Sequence, residues 1–350
     1  MELTSPTKKN LTTIVNTTLI MIAIGIVYAI VFGRGHPHTF LNAIAIGFII
    51  GFGSSVVEIF WFSKFRQRFP FSVLLALRTL FYVVLISSAT IYIGALHHAW
   101  MKSIPFVKTF ETEEFRQFIG GEFFQILAYA LAMSFAVNFV RQVNRLLGHN
   151  ALLEFITGKY HQPITEERIF MFLDLKSSTA IAERLGDITY HSFLNDFFHD
   201  ISPAIQESKG SIYQYVGDEV VVTWTKEKGF RDANCINCYF RIAAAIHLQS
   251  DKYENRYGII PEFKAGYHFV PVVSGEIGDI KKEIVFHGDT VNTAARIRTE
   301  CTNFKQDLLL SADLLDRLSI TDYLSPKSIG KIKLRGKEEE VELFSILEAA

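Results

Sequence analysis

Two aspartates, each beside a run of strand-forming residues, have the types and spacing to do chemistry. Asp174 follows the apolar run RIFMFL, and Asp218 stands in the turn between Ser211–Val216 and Glu219–Trp224. If these strand ends lie side by side, the two carboxylates meet next to Gly217, whose small size lets a phosphate approach. Mg²⁺ binds one or two carboxylates together with phosphate oxygens, so the pair predicts a metal and phosphate site. Either aspartate alone is more typical of a helix cap or a turn.

A third segment, HGDTVNTAAR at 287–296, has the pattern of a strand end, a glycine turn and a helix start. Its Asn292 and Arg296 are four residues apart, which places them on one face of a helix. An asparagine can hydrogen-bond a ribose, and an arginine can clamp a phosphate through two parallel hydrogen bonds. Taken alone, the segment would equally fit a solvated helix face capped by Asp289.

The elements that must position these residues follow one another after residue 165 in the order β-α-β-β-α-β. This order predicts a ferredoxin-like α+β domain over 166–350. The predicted strands are 168–173, 211–216, 219–224, 263–273, 283–287, 308–310, 330–334 and 340–346. The predicted helices are 178–207 with a break near 186–187, 230–257, 290–298 and 312–318. A helical connector and linker is predicted over 141–165, with its helix at 141–157 and a linker at 158–167.

Residues 1–140 have a different composition and contain four apolar runs, at about 11–32, 40–62, 71–96 and 123–140. Each is near the ~20 residues that a helix needs to cross a bilayer. Lysines and arginines concentrate in the flanks that would share one side, which predicts that both termini and the second half of the chain are cytoplasmic. These residues are Lys8, Lys9, Lys64, Arg66, Arg68, Arg141 and Arg145. The sequence therefore predicts a multi-pass protein of the cell (inner) membrane.

Several ionisable residues fall in or near the apolar runs. Glu58 and Arg78 lie inside predicted spans, where a charge is costly, and they could pair across the second and third helices. The pair could be structural or part of a signal-receiving core. The histidines at positions 36, 38, 97 and 98 are expected in the outer loops, as solvated side chains or as a metal or pH site.

Composition excludes several classes of protein. The 350 residues include 35 Lys and Arg against 36 Asp and Glu, a net charge of -1 that excludes a strongly basic nucleic-acid binder. Hydrophobic residues make up 49%, which excludes a disordered chain. Three cysteines are too few for a disulfide scaffold and fit a reducing, cytosolic environment.

The three motifs together resemble a known family. FLDLKSST around Asp174, YQYVGDEVV around Asp218 and HGDTVNTAARI around Asn292 are similar, in order and spacing, to the class III adenylate/guanylate cyclase catalytic domain. The resemblance covers about residues 166–347. The four predicted membrane helices and the helical connector are likewise similar to membrane-bound bacterial members of that family.

The resemblance implies a role for each matching position. Asp174 and Asp218 match the aspartates that bind two Mg²⁺ or Mn²⁺ ions per site, with the backbone carbonyl of Leu175 as a further ligand. Asn292 matches the residue that orients the ribose, and Arg296 matches the arginine that stabilises the transition state at the α-phosphate. Arg335 stands where the family has a lysine for the terminal phosphates, a change that keeps the charge and alters the geometry.

The implied reaction converts ATP to 3′,5′-cyclic AMP and pyrophosphate. In the family one domain gives the aspartates and another gives the asparagine and arginine. This chain has one such domain with all of these residues, which implies a head-to-tail homodimer with shared active sites.

The purine-reading positions depart from the family pattern. They hold Gln214, which can donate and accept hydrogen bonds, and Val285, which can do neither with its side chain. ATP is the expected substrate because adenylate cyclases dominate the bacterial members, and GTP stays open. The sequence also fits two functions of a different class. One is a catalytically silent nucleotide-binding module that signals by contact, and the other is a small transporter or channel with a regulatory domain.

Overall fold

The computed structural model describes residues 5–32, 37–62, 69–148, 151–319 and 324–348. The chain divides into two compact units, Met1–Gln142 and Val143–Ala350. Each unit is described by itself below.

The first unit is helical and contains four helices long and apolar enough to cross a membrane. The candidate spans are Asn10–Phe32, Pro37–Phe62, Ala76–Lys102 and Glu113–Val140. They belong to α1 (Ser5–Phe32), α2 (Pro37–Val57), α3 (Phe71–Lys102), α5 (Glu113–Gly120) and α6 (Glu122–Leu147). Helix α2 continues as a π-helical turn over Glu58–Phe62. A short α4 (Phe106–Thr109) lies between α3 and α5.

The histidines lie in a different place from the one expected. His38 is in the first turn of α2, and His97 and His98 are in the last turns of α3, so the outer-loop prediction is wrong for these three residues. The reason is that an apolar run marks only the hydrocarbon-facing part of a helix, and α3 continues six residues beyond the predicted end at Leu96. His36, together with Lys64, Arg66 and Arg68, lies outside the described residues.

Glycines allow α1 and α2 to pack closely. A Cβ atom on Gly25 would lie 2.6 Å from the Ala43 carbonyl oxygen, and one on Gly47 would lie 2.7 Å from the Met21 carbonyl oxygen. Small residues commonly let membrane helices approach in this way. Large apolar side chains such as Leu41, 65% exposed, face outward, as expected for a lipid-facing surface.

The predicted pairing of Glu58 with Arg78 is present. Arg78 Nη2 donates to Glu58 Oε1 at 2.7 Å, and the guanidinium lies 5.3 Å from the centre of the Phe62 ring. Both side chains are largely buried. A paired charge is far less costly at membrane depth than an isolated one, which accounts for two ionisable residues in otherwise apolar helices.

The predicted single connector helix over 141–157 is interrupted. α6 ends at Leu147, and a separate α7 covers Ala151–Thr157. Gly148 between them has a φ of +96°, a left-handed conformation that an α-helix cannot continue through.

The second unit is built on one mixed sheet, and the expected cyclase-type α+β fold is confirmed. Its strands are β1 (Ile164–Leu175), β2 (Ser211–Val216), β3 (Glu219–Thr225), β4 (Phe263–Ile277), β5 (Glu283–His287), β6 (Leu308–Ser311), β7 (Leu324–Ile332) and β8 (Val341–Glu348). The order across the sheet is β2-β3-β1-β4-β6-β8-β7, with β5 paired to β4. The β4–β6 pair is parallel, and the other pairs are antiparallel.

Helices cover both faces of this sheet. They are α8 (Ser178–Leu185), α9 (Asp187–Glu207), α10 (Lys226–Phe230), α11 (Asn234–Leu248), α12 (Ser250–Tyr257), α13 (Asp289–Asn303) and α14 (Ala312–Leu315). Successive residues of β1 point to opposite faces. Met171 therefore joins the main core with Phe193 of α9 and Ile236 of α11, whereas Phe172 packs on the other face with Ala294 of α13.

Several strands extend beyond their predicted bounds, and the largest differences are in β1, β4 and β7, which begins at Leu324 instead of Gly330. β1 begins at Ile164, directly after Pro163, inside the segment predicted as a linker. β4 runs to Ile277 instead of Val273, because its last residues pair with β5. The hairpin of β2 and β3 lies where the sequence predicted it.

Candidate active site

The two aspartates are neighbours at one end of the sheet. β1 and β3 run antiparallel, and Asp174 lies opposite Glu219, the residue directly after Asp218. Gly217 has a φ of +63° in the β2–β3 turn, a conformation that glycine adopts at no steric cost. Adjacent antiparallel strands thus bring together two carboxylates that are 44 positions apart in the sequence.

Asp174 is buried among charged groups from three directions. Burial raises the pKa of its carboxyl, the Arg298 guanidinium lowers it, and the neighbouring Asp218 carboxylate raises it again, with a net upward shift. Arg298 Nη1 lies 3.0 Å from Asp174 Oδ2, and Lys264 Nζ lies 3.5 Å from the same oxygen. The repulsion between the two aspartates means that a cation placed between them would stabilise the ionised pair.

Arg298 also contacts the residue opposite Asp174. Its Nη2 lies 2.8 Å from Glu219 Oε2, so one guanidinium bridges two strands. Burial raises the pKa of the Glu219 carboxyl, while Arg298 acts in the opposite direction. These contacts hold Asp174 through Oδ2, while its carboxyl group also meets that of Asp218.

The residues present fit a small hard cation. Mg²⁺ uses one or two carboxylates and completes its octahedron with water and substrate oxygens. Asp174 and Asp218 would provide the two carboxylates, and Leu175, the last residue of β1, could add its backbone carbonyl. In the described ranges, no group of three or more His, Cys, Asp or Glu side chains is arranged to hold a metal.

A second group of candidate side chains lies on and beside α13. Asn292 is exposed, and Arg296 is half-buried one turn later on the same helix face. Arg296 Nη1 lies 3.9 Å from Asp289 Oδ1, and Lys337 Nζ lies 2.7 Å from Asp289 Oδ2. The Lys337 ammonium holds the pKa of the Asp289 carboxyl below its ordinary value.

The loop between β7 and β8 lies against Arg296. Gly336 has a φ of +74°, and a Cβ atom there would be 3.4 Å from Arg296 Nη2. Arg335 is exposed on this loop, two residues before Lys337. Three cationic side chains thus occur at or beside one loop, an arrangement suited to a polyanion such as a polyphosphate.

The two purine-reading candidates flank an aromatic contact between β2 and β5. The rings of Tyr213 and Phe286 lie 4.9 Å apart, centre to centre. Gln214, next to Tyr213, is exposed and follows a bulge in β2, while Val285, next to Phe286, is half-buried. The structure therefore brings together the two segments that carry these residues.

Within one chain the two groups have separate charge partners. Arg296 pairs with Asp289, whereas Asp174 pairs with Arg298 and Lys264. Over the described ranges, no ion pair joins Arg296 to Asp174 or to Asp218. Helix α13 therefore presents Arg298 to the aspartates and Arg296 to the β7–β8 loop.

The sequence prediction missed Arg298, Lys264 and Lys337. Lys264 lies directly opposite Asp174 across β1 and β4, a register that the sequence does not display. Arg298 stands six residues after Asn292, off the face that Asn292 and Arg296 share, so the spacing argument did not find it. Lys337 could have been found from the sequence, because it stands two residues from Arg335 between two predicted strands.

Known adenylate cyclases resemble part of this chain. The chain is 37% identical over 221 residues to adenylate cyclase 2 of Rhizobium meliloti (strain 1021), covering 63% of this chain and 61% of that protein. It is 26% identical over 192 residues to the adenylate cyclase of Anabaena cylindrica, covering 52% of this chain and 37% of that protein. The chain thus spans less than two thirds of the length of either relative.

A solved structure and a family model agree with these relatives. The structure of a bacterial light-regulated adenylyl cyclase has a TM-score of 0.54 at 20% identity, over 64% of this chain and 65% of that chain, which shows a shared fold. Residues 160–348, more than half of the chain, match the family model "Adenylate and Guanylate cyclase catalytic domain". The chain therefore belongs to the adenylate and guanylate cyclase catalytic domain family.

Proposed function

We propose that this protein is a membrane-anchored nucleotide cyclase that converts ATP to 3′,5′-cyclic AMP and pyrophosphate. The observation that carries this proposal is the adjacency of Asp174 and Asp218 at one sheet edge. In a domain of this family, that adjacency supplies the carboxylate pair needed for two Mg²⁺ or Mn²⁺ ions. The ions would be held by the two aspartates and the Leu175 backbone carbonyl.

When bound, the divalent cations would lower the pKa of the ribose 3′-hydroxyl and neutralise the polyphosphate. The protein's own residues then act by positioning and by charge stabilisation. Asn292 would hydrogen-bond the ribose and direct its 3′-oxygen toward the α-phosphorus. Arg296 would bind the α-phosphate oxygens as the new bond forms and pyrophosphate leaves. Arg335 would bind the terminal phosphates, and Gly217 would give them room beside the aspartates.

Adenine is the proposed base, read near Gln214 and Val285. The Gln214 amide can donate to and accept from a purine edge, and Val285 can contribute only an apolar contact. Support for ATP comes from the two relatives named above, both of which are adenylate cyclases.

The active sites are proposed to form between two copies of the chain, arranged head to tail. Each site would take the aspartates of one copy and Asn292, Arg296 and Arg335 of the other. The separate charge partners of Arg296 and Asp174 within one chain support this arrangement. A symmetric dimer would then contain two equivalent sites.

The four apolar helices support anchoring in a lipid bilayer. The proposed orientation places both termini and the second unit in the cytoplasm at the cell (inner) membrane. The basis is the distribution of lysine and arginine in the sequence. An even number of spans returns the chain to the side on which it started.

The test is to reconstitute the full-length chain in lipid nanodiscs and measure cyclic nucleotide formation from ATP and GTP, with Mg²⁺ and with Mn²⁺. We expect cyclic AMP and pyrophosphate from ATP, and none from an Asp174→Asn variant. Cyclic GMP as the main product would reassign the base and keep the mechanism. Nucleotide binding without either product would favour the silent signalling module.

A further inference from the structure

The first unit contains an elongated cavity between its apolar helices. Its volume is about 730 Å³, and it is lined by side chains of α1, α2, α3, α5 and α6. The α2 residues that line it run from His38 to Ile50 along one helix face. Twelve residues of α-helix rise about 18 Å, so the cavity extends over more than half the thickness of a bilayer's hydrocarbon core.

One end of the cavity is polar. His38, at the start of α2, and His97, near the end of α3, have ring centres 5.5 Å apart, and both line the cavity. His98 and Glu122 line the same end. A neutral histidine has one donor and one acceptor nitrogen, so this end can hydrogen-bond a hydroxyl or a carbonyl group. The Glu122 carboxylate would repel an anionic head group placed at this end.

The deeper part of the cavity is largely apolar and also includes the hydroxyls of Thr90 and Ser134. Its walls include Met21, Ile46 and Ile50, while Thr90 of α3 is fully buried. The Thr90 hydroxyl has no hydrogen-bond partner among the described residues. By contrast, the Thr18 hydroxyl donates to the Ile14 carbonyl at 2.8 Å, and the Ser55 hydroxyl donates to the Gly51 carbonyl at 2.6 Å. A buried hydroxyl without a partner is costly, and a bound oxygen-bearing molecule would provide one.

From these features we propose that the cavity binds an uncharged, single-chain lipid with oxygen-containing groups. Its hydroxyl or carbonyl head group lies at the histidine end, its chain lies along the apolar walls, and a second oxygen lies near Thr90. Eight residues separate Thr90 from His98 on α3, which corresponds to about 12 Å between the two polar positions. A hydrocarbon chain gains little on leaving a bilayer, so the hydrogen bonds at these two positions provide the selectivity.

The test uses the full-length protein in nanodiscs and an octadecanol that carries a diazirine and a terminal alkyne. Photolabelled peptides are identified by mass spectrometry, and unlabelled lipids compete for the site. We expect labels on α2, α3 and α6 residues that line the cavity. We also expect 1,12-octadecanediol to compete at least tenfold more strongly than 1-octadecanol, and palmitate to compete least.

Two variants and a matched control separate specific binding from labelling by bulk lipid. Ile93→Phe places a larger ring in the cavity and should lower labelling at least tenfold. Leu96→Phe, on the same helix at a position that is 43% exposed and outside the lining, should leave labelling unchanged. Thr90→Val keeps the side-chain shape and should abolish the preference for the diol. The helix content of each variant, measured by circular dichroism, verifies that the bundle still folds.

Other results would overturn the proposal. Labels spread over lipid-facing residues, or equal labelling of the Ile93→Phe and Leu96→Phe variants, would show that the cavity holds no lipid. Palmitate competing as strongly as the alcohols would contradict the uncharged head group. Equal competition by the two alcohols in the unmodified protein would remove Thr90 from the site. Because binding is measured without nucleotide, these results are independent of cyclase activity.

Discussion

Arg298 and Asp174, from a helix and a strand that are far apart in the sequence, are joined by a hydrogen bond of 3.0 Å between Nη1 and Oδ2. The backbone of helix α13 also lies close to the sheet. A Cβ atom on Gly266 of β4 would lie 2.2 Å from the Arg298 backbone nitrogen, so α13 lies directly on the strand. The guanidinium therefore reaches Asp174 from a helix that is packed closely against β4.

Replacing Arg298 with glutamine should destabilise the second unit by about 1–3 kcal/mol, because Asp174 and Glu219 lose their shared cation. Mn²⁺ should restore more stability to this variant than to the parent, because it replaces the missing positive charge. Urea unfolding followed by Trp224 fluorescence, in a background without Trp61 and Trp100, measures both effects.

Arg317→Gln serves as a control for Arg298→Gln. Arg317 makes a largely exposed ion pair with Glu167 at 3.3 Å, and its loss should cost less than about 1 kcal/mol. If the two variants lost equal stability, or Mn²⁺ had no greater effect on Arg298→Gln than on the parent, Arg298 would not neutralise the aspartate site.

The shared-site arrangement predicts complementation between two inactive variants. Asp174→Ala and Arg296→Ala should each be inactive alone, and mixing them should restore about a quarter of the parent activity. The reason is that random pairing makes half of the dimers mixed, and each mixed dimer has one intact site. Cyclic AMP formation after co-expression measures this. No activity in verified mixed dimers would mean that each chain has a complete site of its own.

Lys337 and Arg335 should affect different kinetic constants. Lys337 holds Asp289 at 2.7 Å, and Asp289 is also 3.9 Å from Arg296. In Lys337→Met the Asp289 carboxylate should draw Arg296 toward itself, and kcat should fall about tenfold. Adding Asp289→Asn should recover much of that loss. Arg335→Met should mainly raise KM, because Arg335 is proposed to bind the terminal phosphates. Steady-state kinetics of the parent and of each variant measure these changes in kcat and KM. If kcat fell equally in Lys337→Met and in the Lys337→Met, Asp289→Asn double variant, Asp289 would not be drawing Arg296 away.

His268 should make the second unit sensitive to acid. Burial lowers the pKa of this histidine to about 4, the Lys337 ammonium acts in the same direction, and Asp289 opposes it. The folded state thus binds fewer protons than the unfolded state between about pH 6.5 and 4. The contribution of neutral His268 to the free energy of unfolding is fully present above pH 6.5. It falls by up to about 3 kcal/mol as the pH drops through this window.

The measurement is urea unfolding by Trp224 fluorescence at a series of pH values. The Ser311 hydroxyl lies 2.7 Å from His268 Nδ1, so the asparagine of His268→Asn can keep a hydrogen bond to it. This variant should lose most of the dependence of the free energy of unfolding on pH between pH 6.5 and 4. His247→Gln, at an exposed position, should keep the parent slope. An unchanged slope in His268→Asn would assign the acid sensitivity to other groups.

The sequence predicted the fold because its patterns agree at several levels. Short apolar runs alternate with helical spacing, and the Gly217-Asp218 turn separates two runs rich in strand formers. The aspartate pair could be predicted because both residues stand at strand ends. The Glu58–Arg78 pair could be predicted because charges in apolar helices need partners.

Other features depend on contacts that a linear pattern does not contain. Lys264 reaches Asp174 through strand register, and Arg298 reaches it through the docking of α13 on β4. The break at Gly148 depends on a positive φ, which glycine permits without requiring. The ends of the long apolar helices could not be predicted closely because polar residues such as His97 can extend a helix beyond its apolar part.

Helix α13 has a consequence for how two shared sites would be adjusted. Arg298 acts on the aspartates of its own chain, while Asn292 and Arg296, on the same helix, would serve the nucleotide bound to the aspartates of the other chain. Because these residues belong to one helix of 15 residues, a movement of that helix would reach both groups. Any input that slides or tilts α13 would retune both catalytic centres together, so the two centres of a dimer would switch as one unit.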